Sequence, residues 1–213
     1  SRIVQAKLDG DRIVAVVSAM GSSTNQLTQL AYNMSKQPEM RELDVLLSTG
    51  ELVSAALLAM AIRDMGHPAV SLSGAQAGIR TDTAHGRARI AEVDPLRIRQ
   101  IIADGGVPVV AGFQGITQEA NVTTLGRGAS DITAIALAAK LQATRCEIYT
   151  DVEGIYTADP RIAPGARKLE RVSFEEMLEL ASLGAKVLQT RSVKFAMRYG
   201  VPIHVRSSFV SDE

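Results

Sequence analysis

Short apolar runs alternate along this chain with longer stretches in which apolar positions recur at helical spacing. Runs at 12–18, 68–73, 107–113, 145–150 and 201–206 predict strands, the first three parallel and 12–18 buried. Helical patterning covers 1–9 (the last turns of a helix), 43–65, 94–104, 132–142, 173–182 and 187–199. Turn residues with alternation over 79–93 predict a hairpin, and 114–122 a loop or small hairpin. Strands alternating with helices through most of the length predict a largely parallel sheet covered on both faces, a three-layer α/β/α sandwich.

Local signals set the boundaries. Asp94-Pro95 reads as N-cap followed by the first helical residue. Ser173-Phe174-Glu175-Glu176 is a capping box, and Gly10, Gly105-Gly106 and Gly200 read as stops. The first strand ends in Ser18-Ala19-Met20-Gly21-Ser22-Ser23-Thr24-Asn25 before a helix, which is where open α/β sheets bind ligands, although a plain connecting loop has the same look.

Two places break the pattern. Gly50 and Glu51 fall inside the apolar helix 43–65; the glycine costs ~1 kcal/mol against Ala there. A carboxylate buried in such a stretch needs a partner. Glu51 therefore either faces solvent or pairs with a ligand cation or a side chain, and the second reading is preferred. The other place is Thr123-Thr124-Leu125-Gly126-Arg127-Gly128-Ala129-Ser130-Asp131. Two glycines let the backbone approach a ligand, the Arg127 fork suits a carboxylate or phosphate, and the following helix offers free N–H groups. This is an anion-binding corner with a carboxylate beside it, suited to an amino acid. The plain alternative is a Gly-rich turn with Ser130 or Asp131 as N-cap.

Composition narrows the field. The chain has 213 residues, 46% of them hydrophobic, with 23 Lys plus Arg against 23 Asp plus Glu. That supports one sizeable core and gives no electrostatic argument for nucleic acid or an anionic membrane as partner. No apolar run is read as approaching the ~20 residues of a membrane span. The N-terminus does not read as a signal peptide, and a cytoplasmic setting is expected. Cys146 is the only cysteine and reads as a buried thiol in a strand; the histidines, His67, His85 and His204, show no metal-ligand spacing. Neither a Rossmann glycine fingerprint nor a Walker-type loop is present.

Several stretches taken together resemble the aspartate kinases, over essentially the whole chain and in the same order. They are Val17-Ser18-Ala19-Met20-Gly21, Ser48-Thr49-Gly50-Glu51, Ala111-Gly112-Phe113-Gln114-Gly115, Thr124-Leu125-Gly126-Arg127-Gly128 with Ser130-Asp131, the run from Tyr149 to Arg161, and Phe174-Glu175-Glu176-Met177 through Leu188. The resemblance implies the amino acid kinase fold. It also implies transfer of the γ-phosphoryl of ATP, carried with Mg2+, to the side-chain carboxylate of L-aspartate, giving 4-phospho-L-aspartate. By the resemblance Arg127 grips the α-carboxylate and Glu51 receives the α-ammonium, with Ser18, Thr24, Phe113, Ser130 and Asp131 lining the pocket. Thr150, Asp151, Tyr156, Arg161, Lys186 and Val187 hold the nucleotide, and Arg127, Asp131 and Lys186 form the catalytic set. No protein metal site is expected, and the family implies a homodimer.

The chemistry suits those residue types. A carboxylate nucleophile with a reference pKa of ~3.9 is already ionised at neutral pH and needs no general base. Catalysis then rests on positioning and charge neutralisation. Acetylglutamate and uridylate kinases share the fold, but Arg127 with Glu51 asks for a free α-amino acid. The family's Lys-Phe/Tyr-Gly-Gly strand has no match here, and its ACT regulatory domains are not represented. The expectation is therefore a catalytic domain over 1–206 that is N-terminally incomplete, with 207–213 starting a linker. A fragment that binds ligands with little turnover is the competing reading.

Overall fold

A computed structural model describes residues 2–126, 128–158, 162–182 and 187–209. The chain opens with α1 (Arg2–Leu8), and β1 (Ala15–Val17) then leads into α2 (Ser23–Met34). The long α3 (Met40–Asp64) precedes β2 (Ala69–Leu72), the β3 (Ile79–Thr81) and β4 (Ile90–Val93) hairpin, and α4 (Leu96–Ala103). Next come β5 (Val107–Ala111), the β6 (Gln114–Ile116) and β7 (Val122–Thr124) hairpin, α5 (Ser130–Leu141) and β8 (Cys146–Thr150). The order closes with α6 (Phe174–Ser182), α7 (Thr190–Tyr199) and β9 (Ile203–Ser207).

The architecture is the three-layer α/β sandwich that the alternation predicts, but its strands form three hydrogen-bonded sets among the described residues. One is parallel, in the order β1-β5-β2, with every β5 residue buried. The second runs β4-β3-β6-β7 and is mixed: the predicted hairpin and the segment expected as a loop or small hairpin are both antiparallel pairs, and they join through a parallel β3–β6 contact. The third is the parallel pair β8-β9. That pair runs through Ser207, one residue into the segment expected to start a linker, and Ser208 N–H bonds the Thr150 carbonyl.

Local chemistry accounts for the boundaries. The capping box forms as predicted: Glu176 N–H donates to Ser173 Oγ at 3.2 Å and Ser173 N–H to Glu176 Oε2 at 2.8 Å. α4 starts one residue late, at Leu96, whose N–H donates to Asp94 Oδ1. α3 starts three residues earlier than the apolar periodicity predicts, because the Glu39 carboxylate caps it by accepting from Glu42 N–H. α5 carries no side-chain cap: Ala129 occupies the N-cap position, and Ser130 and Asp131 are its first helical residues.

By length and composition α3 could cross a membrane, a property that its broken apolar run hid. Here it is a core helix. Ala55, Ala59 and Ile62 pack against Ala69 of β2 and Val107, Val109 and Ala111 of β5. It also buries Asp44, whose carboxylate accepts from Thr124 Oγ1 at 2.5 Å and from Gly86 N–H at 3.0 and 3.1 Å, and lies 2.7 Å from His85 Nδ1. This network pins the β3–β4 loop and the end of β7 to α3. Asp44→Ala leaves those donors facing apolar surface and should destabilise the chain by about 3 kcal/mol in urea melts. A loss below about 0.5 kcal/mol would show that the network holds nothing.

Candidate active site

Three segment ends converge at the carboxyl edge of the parallel set. β1 ends at Val17, followed by Ser18 and Ala19, and β5 ends at Ala111, followed by Gly112 and Phe113. Gly112 N–H bonds the Val17 carbonyl at 2.9 Å. A Cβ at Gly112 would lie 2.8 Å from Ser130 Oγ and 2.9 Å from the Val17 oxygen, so only glycine lets the N-terminus of α5 press against both strand ends. Gly50 does the same from α3, where a Cβ would sit 2.9 Å from Ala19 Cβ. Its cost in helix propensity is the condition for bringing Glu51 to the loop after β1.

Glu51 is 4% exposed. Its Oε1 accepts from Ala19 N–H at 3.1 Å, while Oε2 is buried without a hydrogen-bond partner among the described residues. Burial raises its pKa, and the Ala19 bond opposes that only in part. A buried carboxylate oxygen left open is costly in the empty protein and is a receptor for a cation or a donor. Of the two readings that the sequence left, the solvent-facing one is excluded.

Phe113 is buried and holds φ of 69°, a left-handed conformation that a bulky residue rarely adopts. Its N–H donates to Thr133 Oγ1 at 3.2 Å, and its carbonyl accepts from Leu125 N–H at 2.8 Å. Those bonds tie β5, α5 and the glycine turn together at a strained residue, which is where binding sites concentrate strain. Ser130 and Asp131, both half-buried, follow at the open N-terminus of α5. Thr24 stands in the first turn of α2, next to Ser23, which faces Gly50, and Ser18 is exposed at the β1 end. Ser18, Glu51, Phe113, Ser130 and Asp131 thus gather around one edge, with Thr24 flanking it.

Of the predicted nucleotide residues, Thr150, Asp151, Tyr156 and Val187 are described, and they lie on the β8–β9 half. Thr150 ends β8, and its Oγ1 donates to Asp151 Oδ1 at 3.1 Å. Tyr156 donates to Glu153 Oε2 at 3.3 Å and bridges to Lys168. Val187 packs on the cluster built from Ile135 and Ala138 of α5, Cys146 and Ile148 of β8, and Val193 and Ala196 of α7. α5 therefore serves both halves, its N-terminus at the first group and its flank under the second. Arg127, Arg161 and Lys186 lie outside the described residues. Cys146 is buried as predicted, its thiol pushed up to about 12 mainly by burial. No group of three His, Cys, Asp or Glu among the described residues could hold a metal. A cleft of about 430 Å³ beside Arg80, Asp94 and Arg97 contains none of the predicted residues.

Sequence reasoning missed Asp44, although the argument used for Glu51, a carboxylate in an apolar helix, applies to it equally. It also missed Arg191, whose guanidinium donates to the Leu125 carbonyl at 2.8 Å. No local pattern marks that contact.

Residues 1–207 match the model of the amino acid kinase family. The aspartokinase of Geobacillus stearothermophilus is 53% identical over 212 residues, covering 100% of this chain and 52% of the relative. That of Mycolicibacterium smegmatis is 56% identical over 209 residues, covering 98% and 50%. The chain thus spans about half the length of the curated relatives it matches. The crystal structure of the Synechocystis aspartate kinase aligns with a TM-score of 0.85 at 50% identity, covering 99% of this chain and 35% of that one. The structure of E. coli aspartokinase III in complex with aspartate and ADP aligns with a TM-score of 0.75 at 36% identity, covering 86% and 42%.

Asp131 generates a pH prediction. Burial raises its pKa from the ordinary carboxylate value of 3.8 to about 6. An acid raised on folding keeps its proton in the folded state after the unfolded chain has lost it, so stability falls as pH climbs from about 4 to about 6. The shift of about two units corresponds to at most ~3 kcal/mol. Asp131→Asn should flatten that slope and leave the variant ~2 kcal/mol more stable than the parent at pH 7, with little difference at pH 4. Parallel slopes for the two proteins in denaturant titrations across that range would contradict the assignment.

Proposed function

The chain belongs to the amino acid kinase family, and from that premise we propose that it carries the catalytic machinery of an aspartate kinase. The observation that carries this reading is the half-satisfied Glu51 carboxylate beside the open N-terminus of α5. The two supply opposite ends of an α-amino acid: Glu51 Oε2 accepts from the α-ammonium, and α5 N–H groups with the Arg127 fork receive the α-carboxylate. Asp131 adds a second acceptor on the ammonium side, and a cation arriving there offsets the cost of its partly buried charge. Ser18, Thr24, Phe113 and Ser130 close the pocket.

The side-chain carboxylate of the substrate then points towards the β8 half, where Thr150, Asp151, Tyr156, Arg161, Lys186 and Val187 are assigned to ATP. That carboxylate attacks the γ-phosphorus as the anion, its Oδ–P bond forming as the bond to the leaving ADP oxygen breaks. No protein base is called on. Arg127 and Lys186 offset the charge that develops on the phosphoryl oxygens. Mg2+ would travel on the nucleotide phosphates, and the Asp151 carboxylate is the assigned group whose chemistry would suit it. The proposed setting is cytoplasmic and the proposed partner a second copy of this chain. Exposed Val45, Leu52, Val53, Leu57 and Met60 along α3 support an apolar self-contact.

The test is a crossed pair of variants, read by titration calorimetry beside a turnover assay with aspartate. Arg127→Lys should weaken aspartate by ~2–5 kcal/mol and leave ATP nearly unchanged. Lys186→Ala should do the reverse, holding aspartate within ~0.5 kcal/mol. Unchanged aspartate affinity in Arg127→Lys removes that residue from the site, and equal losses of both ligands mark a folding defect. Binding of both ligands without turnover would favour a catalytically impaired fragment.

A further inference from the structure

The glycines on either side of Arg127, Gly126 and Gly128, hold φ of 87° and 69°. A Gly-x-Gly segment has wide conformational freedom, so an arginine between two such residues keeps one direction only if something outside the turn holds the backbone. That support comes from α7. Arg191, in its first turn, donates to the Leu125 carbonyl at 2.8 Å, and its guanidinium nitrogen lies 3.6 Å from where a Gly126 Cβ would stand. Gln189, the N-cap of α7, packs so closely over Gly128 that a Cβ there would collide with its side-chain amide. The other face of the turn is fixed by the core, since Leu125 is buried with Phe113, Ala129 and Ile132, and α7 reaches the same cluster through Phe195.

We propose that Arg191 is a positioning residue for the substrate site. By clamping the Leu125 carbonyl it sets the direction of the Gly126–Gly128 turn and so the aim of Arg127 at the carboxylate of an α-amino acid. The inference rests on the aspartate kinase reading above. It also gives that site a mechanical link to the other half, because α7 follows directly on Val187, which is assigned to nucleotide. A displacement at 187–189 moves the base of the clamp.

Arg191 is largely exposed, which makes it a clean target. The 213-residue chain and its Arg191→Met, Arg191→Lys and Arg198→Met variants are titrated calorimetrically with L-aspartate and, separately, with ADP, and their melting temperatures are recorded. Arg191→Met, which keeps the stem and loses the fork, should weaken aspartate roughly tenfold while ADP stays within about twofold. Its melting temperature should stay within about 3 °C of the parent. Arg191→Lys, which still places a donor near the carbonyl, should recover most of the loss, and Arg198→Met, on the same helix, should match the parent. Aspartate affinity within about twofold of the parent in Arg191→Met overturns the proposal. So does an equal loss of both ligands with a lowered melting temperature, which would make Arg191 a purely structural residue. A parent that binds ADP but shows no aspartate binding overturns the aspartate kinase reading itself and takes this inference with it.

Discussion

Two buried carboxylates on one face of one helix, seven residues apart, set the logic of this structure. Asp44 is satisfied from several sides by Thr124, Gly86 and His85, and it fastens α3 to the second sheet. Glu51, two turns on, has among the described residues one donor, Ala19 N–H, and one open oxygen. The helix, the burial and the chemical group are the same; the number of donors differs. A fully bonded buried acid stabilises and specifies, whereas a half-bonded one raises the energy of the empty protein and lowers it again when a cation arrives. The second state exists only because Gly50 allows α3 to approach the end of β1 at 2.9 Å from where its own Cβ would be.

The neighbourhood of Glu51 repeats that economy. Asp131 holds a pKa near 6 in a partly buried place, Phe113 sits at positive φ, and α5 begins without a side-chain cap. Each feature costs the empty fold something, of order 1–3 kcal/mol where the backbone is strained. They cluster at the carboxyl edge of the β1-β5-β2 set and around the start of α5. A fold that places its unsatisfied groups together, on rigid elements, offers a preorganised receptor for a ligand with both charges. The opposite flank of α5 is ordinary core, with Ile135 and Ala138 packed against β8 and α7. One helix thus carries a functional end and a structural side.

Much of this was legible in the sequence, for identifiable reasons. The strand β5, the capping box at Ser173 and Glu176, and the end of α7 at Gly200 follow from signals contained in a few residues, and the structure reproduces them. Glu51 was legible because a charge in an apolar helix is an anomaly at any fold. The start of α3 was not, since Glu39 is an unusual cap. The division of the strands into three sets was not either, because pairing between distant segments leaves no local trace. The Arg191–Leu125 bond spans 66 positions and joins a side chain to a backbone carbonyl, so no residue type marks its acceptor end. The resemblance gave roles to Arg127 and Lys186, whereas the Arg191–Leu125 contact from which the positioning of Arg127 is proposed is visible only in the fold.

The central claim is that Glu51 Oε2 is open in order to receive the α-ammonium of the substrate. Its most direct test compares L-aspartate with succinate, which has the same two carboxylates and no amino group, by titration calorimetry on the parent chain and on Glu51→Gln. The account predicts that the parent prefers aspartate by a large factor, of the order of 10²-fold for a buried charged contact, and that Glu51→Gln loses most of that preference while binding succinate about as well as the parent does. An undiminished preference for aspartate in Glu51→Gln would contradict it and return Glu51 to the structure of the core.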